Sequence, residues 1–153
     1  MQAGDIIPEF TLIDPKGARV SVKSLLNGKT TVLYFYPKDH TGGCTLEACT
    51  FRDSYDAFVK VGAQVIGVSV DPPEMHATFA SKYKLPFTLV TDPDGSAAAA
   101  MGVNTVLGFL KGRATFVLDK NGKIVHRFDS RINMTRHVAE SLEVVKSLVQ
   151  AAA

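Results

Sequence analysis

Cysteine is scarce in this chain of 153 residues: only Cys44 and Cys49 occur, and a secreted scaffold held by structural disulfides normally needs more than one such pair. Long apolar runs are missing as well. No stretch approaches the roughly 18 residues that cross a bilayer, so no membrane partner is expected. The segment Met1 to Phe10 lacks the charged-then-apolar plan of a signal peptide. Neither sign of charge dominates, with a net charge of +2, and lysines and arginines are scattered among acids, which argues against a nucleic-acid partner. The chain reads as soluble and cytoplasmic, with an organelle left open if a transit segment has been trimmed. There is also no internal repeat, no low-complexity stretch and no linker. With 46% apolar residues the chain can bury one sizeable core, and residues 1–153 are expected to form one domain.

What is present is a succession of strands and helices. Phe10 to Ile13 and Arg19 to Val22 flank Asp14-Pro15-Lys16-Gly17, a turn sequence, and predict an N-terminal β-hairpin. Thr31 to Tyr36 and Gln64 to Val70 are β-branched and aromatic runs without alternation, the mark of strands covered on both faces. Between them, Ala48, Phe51, Tyr55, Phe58 and Val59 recur at helical spacing within a helix predicted over Thr45 to Lys60. Asp71 reads as the N-cap of a second helix, with Pro72 at the first helical position, Glu74 three on from the cap, and Met75, Phe79 and Tyr83 on one face. Phe87 to Val90 predicts a short strand, Asp92 to Gly95 a turn and Ser96 to Met101 a short helix, whereas Gly102 to Gly112 has no readable period. Arg113 to Leu118 and Lys123 to Phe128 form a second hairpin around Asp119-Lys120-Asn121-Gly122. Val138, Leu142, Val145 and Val149 stripe a closing helix, and Ala151 to Ala153 are expected to fray. The fold class is therefore α/β: a mixed sheet flanked by helices.

The chemistry concentrates at Cys44. A buried strand ends at Tyr36-Pro37, a polar loop runs from Lys38 to Gly43, and Cys44 stands where the next helix begins. Unpartnered amides of a first helical turn, together with the helix dipole, favour a thiolate, the nucleophilic form of cysteine. Glu47 and Asp53 on the same helix would oppose that charge if close, so a cation from elsewhere is required, and Arg113 is the candidate. Glu47 itself reads either as a partner near Arg113 or as an exposed helix acid.

Spacing bears on mechanism. Residues five apart in a helix lie about 140° around its axis and about 8.6 Å apart between Cα atoms, whereas a disulfide tolerates only about 7 Å. If Thr45 to Cys49 is helical, Cys44 and Cys49 bond only after the first turn unwinds. A permanent disulfide would forbid the helix; a catalytic one would make it a switch. On a helical wheel Cys44 shares the apolar stripe with Ala48 and Phe51, and Cys49 falls beside Arg52, Asp53 and Asp56.

The pattern Pro37-x-x-x-Thr41-x-x-Cys44, followed by Cys49 and later by Gly112-Arg113-Ala114-Thr115-Phe116-Val117, resembles the peroxiredoxins, in particular the bacterioferritin comigratory protein or peroxiredoxin Q branch. The resemblance runs from Phe10 to the last helix. It implies a thioredoxin-like fold, reduction of hydrogen peroxide and alkyl hydroperoxides without metal or organic cofactor, and recycling by thioredoxin or a similar thiol donor. By matching positions, Cys44 is the peroxidatic cysteine, Cys49 the resolving cysteine of an intramolecular disulfide, Thr41 and Arg113 the activating pair, and Pro37 the shield of the pocket. A monomer or weak homodimer is expected on the same analogy. One departure is that the family commonly has Thr-Pro-Gly-Cys where this chain has Thr41-Gly42-Gly43-Cys44, which removes a proline that stiffens the loop.

Plainer alternatives are an inert core thiol at Cys44, an idle surface cysteine at Cys49, and an ordinary surface cation at Arg113. His40, beside Thr41, could tune the thiolate or meet a reductant, or could be a solvated loop residue. His76, His126 and His137 are widely separated and form no ligand spacing with the cysteines, so no metal is expected. Two other functions share the site: a non-enzymatic redox sensor, and a thiol-disulfide oxidoreductase. The latter normally carries C-x-x-C, which this chain lacks.

Overall fold

The computed structural model describes residues 1–103, 105–106, 109–110, 113–130 and 133–152. Along the chain these form β1 (Thr11–Ile13), β2 (Arg19–Ser21), α1 (Val22–Leu26), β3 (Thr30–Phe35), α2 (Gly42–Asp53), α3 (Tyr55–Lys60), β4 (Ala63–Ser69), α4 (Pro73–Tyr83), β5 (Thr88–Thr91), α5 (Ser96–Ala100), β6 (Thr105–Val106), β7 (Phe109–Leu110), β8 (Ala114–Leu118), β9 (Ile124–Asp129) and α6 (Met134–Ala152). Gly112, from the sequence pattern, and part of the unread stretch before it lie outside the described residues, as does Ala153.

Seven strands make one mixed sheet in the order β2-β1-β5-β4-β3-β8-β9. The centre is parallel, β3 with β4 and β4 with β5, while β8 runs antiparallel to β3, with Ala114 opposite Phe35. Strand side chains alternate between faces. Leu33 and Phe35 of β3 join one core with Ile66, Val90 and Phe116. Val32 and Tyr34 join the other with Phe51, Phe58, Phe79 and Val145 from the helices α2, α3, α4 and α6. Burial on both faces is what the unalternating apolar runs predict.

Several boundaries differ from the sequence reading. The helix predicted over Thr45 to Lys60 starts earlier, at Gly42, and breaks at Ser54 into α2 and α3. The break keeps both Phe51 and Phe58 fully buried, with ring centroids 5.9 Å apart, and turns Val59 out to 51% exposure. Helix α1 has no counterpart in that reading, since five residues carry no legible period; Ser21 caps it and Asn27 closes it in the left-handed region. Asp71 does not cap α4. The N-cap is Pro72, without a side-chain bond, because the Asp71 carboxylate is engaged by the Asp39 amide and the Ser69 hydroxyl. Consequently α4 buries His76 and Phe79 rather than Met75.

Candidate active site

Strand pairing assembles the site. Arg113 directly precedes β8, and because Ala114 lies opposite Phe35, Arg113 stands where the chain leaves β3 for the loop to Cys44. Thr41 is the N-cap of α2 and its carbonyl accepts the Thr45 amide at 2.9 Å, so Cys44 is the third residue of the helix, within the first turn. Two residues close together along the fold, but far apart in sequence, thus meet at the end of the sheet.

Cys44 is 1% exposed, and the Arg113 Nη2 group donates to its Sγ at 3.2 Å. Arg113 Nη1 donates to Glu47 Oε1 at 2.6 Å. Glu47 is fully buried, three residues after Cys44, so sulfur and carboxyl face one guanidinium from the same face of α2. Burial pushes the Glu47 carboxyl up to about 7, with Arg113 pulling it back down. Its Oε2 lies 3.6 Å from His137 Nδ1, which also meets the Thr115 hydroxyl at 2.7 Å, while His137 Nε2 lies 2.8 Å from the Ser130 carbonyl. Because that carbonyl is an acceptor, the proton of the ring sits on Nε2. Burial holds His137 below the usual histidine range.

Gly43 completes the wall. A Cβ there would lie 2.9 Å from the Met134 terminal methyl and 3.2 Å from Arg113 Nη2, so glycine keeps the path from Arg113 to the sulfur open.

Of the residues expected at the site, the structure joins Cys44 and Arg113. The Thr41 hydroxyl, on an exposed residue, donates to the Lys38 carbonyl at 2.9 Å. Pro37 is half-buried directly after β3. Cys49 is half-buried on α2 rather than fully outward, and both cysteines are free thiols. His40 is exposed, its ring edge-on to Phe79 at 5.0 Å. Glu47, Thr115 and His137 are members that sequence reasoning missed or left ambiguous. For Glu47 the i, i+3 spacing from Cys44 is a signal, and Thr115 stands in the pattern that follows Gly112; for His137 there is none. Among the described residues no cluster of three or more His, Cys, Asp or Glu side chains could hold a metal ion, and no helix is long and apolar enough to cross a membrane.

A cation beside a buried sulfur in the first turn of a helix is an arrangement that favours the thiolate form of cysteine. Comparison with known proteins gives the family. Residues 3–127 match the AhpC/TSA family. A chloroplastic peroxiredoxin Q of Sedum lineare is 47% identical over 146 residues, covering 95% of this chain and 78% of the relative. Among solved structures, the peroxidoxin BcpB of Mycobacterium tuberculosis superposes with a TM-score of 0.89 at 36% identity over 97% of this chain and 98% of that one. A Xanthomonas campestris bacterioferritin comigratory protein, studied for alkyl peroxide reduction, gives 0.81 at 30% identity, covering 92% of each chain. The fold is thus thioredoxin-like, and the chain belongs to the AhpC/TSA family, in its peroxiredoxin Q branch of thiol peroxidases.

Proposed function

We propose that the chain reduces hydrogen peroxide and alkyl hydroperoxides through Cys44, with Cys49 as the resolving thiol and a thioredoxin-type dithiol as the donor. The observation that carries this reading is the 3.2 Å approach of Arg113 Nη2 to Cys44 Sγ inside a buried first turn. The Cys44 thiolate attacks one peroxide oxygen; an S–O bond forms, the O–O bond breaks, and the distal oxygen leaves with a proton as water or alcohol. Arg113 keeps its charge throughout and offers fixed donors to the oxygens as negative charge moves between them. Thr41, at the cap, supplies a hydroxyl at the mouth of the site, and Pro37 shields it from the β3 side.

The sulfenic acid on Cys44 then meets Cys49. The S–S bond forms, the S–O bond breaks, and the hydroxyl leaves as water with the Cys49 proton. Both thiols lie on α2, so this step requires the first turn to unwind. The donor dithiol restores both thiols and is itself oxidised to a disulfide. Alkyl peroxide reduction by the Xanthomonas campestris protein supports the wider substrate range.

The test is intact-protein mass after an equimolar dose of hydrogen peroxide, on the wild type and on Cys49→Ser. Loss of two hydrogens in the first and a trappable sulfenic acid in the second are expected. Absence of rapid oxidation in both proteins refutes the proposal.

A further inference from the structure

Asp39 is 2% exposed, although Lys38, His40, Thr41 and Gly42 around it are all exposed. Burying a carboxylate within a solvated loop is costly unless its oxygens are met. Here three elements meet it. The Tyr36 hydroxyl, just past β3, donates to Oδ1 at 2.5 Å, and His76 Nδ1 from α4 lies 2.6 Å from Oδ2. The Asp39 amide donates to Asp71 Oδ2 at 2.7 Å, and Asp71 is itself fixed by the Ser69 hydroxyl at 2.7 Å and, through its carbonyl, by the Thr91 hydroxyl at 2.6 Å.

His76, 2% exposed, is held at both nitrogens. Its Nε2 lies 3.1 Å from the Val90 carbonyl, a pure acceptor, so Nε2 carries a hydrogen, while Nδ1 meets Asp39 Oδ2. The imidazole is a rigid crosspiece from β5 to the loop. The effect shows one residue later: His40 has φ 63°, a left-handed conformation that non-glycine residues seldom take. With the chain clamped at Asp39 and committed to the α2 cap at Thr41, His40 alone is left to reverse its direction, and the clamp holds that strain.

We propose that the Tyr36–Asp39–His76 clasp is a positioning device for peroxide attack: by fixing the loop before the α2 cap, it aims Cys44 Sγ at Arg113. The clasp touches no reacting atom, and its role rests on Cys44 being the peroxide nucleophile. Alignment matters for displacement at an O–O bond far more than for alkylation by a small freely approaching reagent.

The experiment uses the full chain with Cys49→Ser, so that only Cys44 reacts, and adds His76→Leu, His76→Gln or Tyr36→Phe. Second-order rates are measured with hydrogen peroxide and, separately, with iodoacetamide. His76→Leu is expected to slow peroxide about tenfold or more while alkylation stays within about twofold, and His76→Gln, which can still donate to Asp39, recovers part of the loss. Equal loss with both reagents, or no loss with either, overturns the proposal. If His76→Leu fails to unfold cooperatively, Tyr36→Phe decides: about a threefold loss toward peroxide alone is expected, and an unchanged rate overturns the proposal. A parent protein inert to peroxide instead refutes the peroxidase reading, and the clasp's proposed role with it.

Discussion

Gly42 and Gly43 stand side by side before Cys44, yet the space around them differs. A Cβ on Gly42 meets nothing within 4 Å, and Gly42 is the first residue of α2, where a missing N–H is harmless. Thr41, at φ −84° and ψ 154°, already has the extended backbone that a following proline imposes. Gly42→Pro is therefore expected to keep or raise the rate of peroxide attack and to add about 0.4–1 kcal/mol of stability. Gly43→Ala is expected to slow the same step about tenfold, because the Met134 methyl can swing aside while Arg113, tied to Glu47, cannot move without leaving the sulfur. Stopped-flow oxidation of both variants checks the pair; a large loss in Gly42→Pro, or none in Gly43→Ala, contradicts the argument. At this scale the sequence was informative where chemistry is local. Cys44 at a helix start and Arg113 as its cation were legible from loop, spacing and motif. Glu47 stayed ambiguous, because whether a helix acid is buried depends on what crosses from β8. His76 and His137 were set aside for their separation along the chain, and only tertiary packing reveals their partners.

At the scale of elements, α2 holds both thiols in one continuous helix of 12 residues. On the proposed scheme, a disulfide between Cys44 and Cys49 melts its first turns while the clasp and α4 stay folded. Hydrogen exchange after peroxide treatment is expected to show lost protection over residues 45–49, with the Asp39 amide and α4 unchanged; retained protection in the oxidised protein would rule out the unwinding step. Elements declared by composition were readable in advance: β3 and β4 by their branched and aromatic runs, and the two hairpins by their turn residues. Others were decided by neighbours. The break at Ser54 serves two phenylalanines that must reach the same core, and Asp71 does not cap α4 because a loop amide and a serine hydroxyl both hold its Oδ2.

For the whole molecule, the buried Glu47 makes stability depend on pH. Its carboxyl binds a proton more tightly in the folded chain, about 7 against an ordinary 4.5, so its contribution is full below about 4.5 and is lost as pH rises through about 7. His137, held low by burial, works in the opposite direction. Relative to Glu47→Gln, the wild type is expected to lose on the order of 2 kcal/mol between about pH 5 and pH 7.5, as read by urea unfolding; parallel curves for the two proteins would deny Glu47 that role. The layout also has a mechanical side. Arg113 is anchored beside the sheet, whereas both its partners, Cys44 and Glu47, ride on α2. Unwinding the first turn pulls sulfur and carboxylate away from one buried guanidinium together, leaving a desolvated charge uncompensated. On the proposed scheme the oxidised form would therefore be spring-loaded: the energy stored by stranding Arg113 would be returned once the disulfide is cut, and rewinding of α2 would need no further agent.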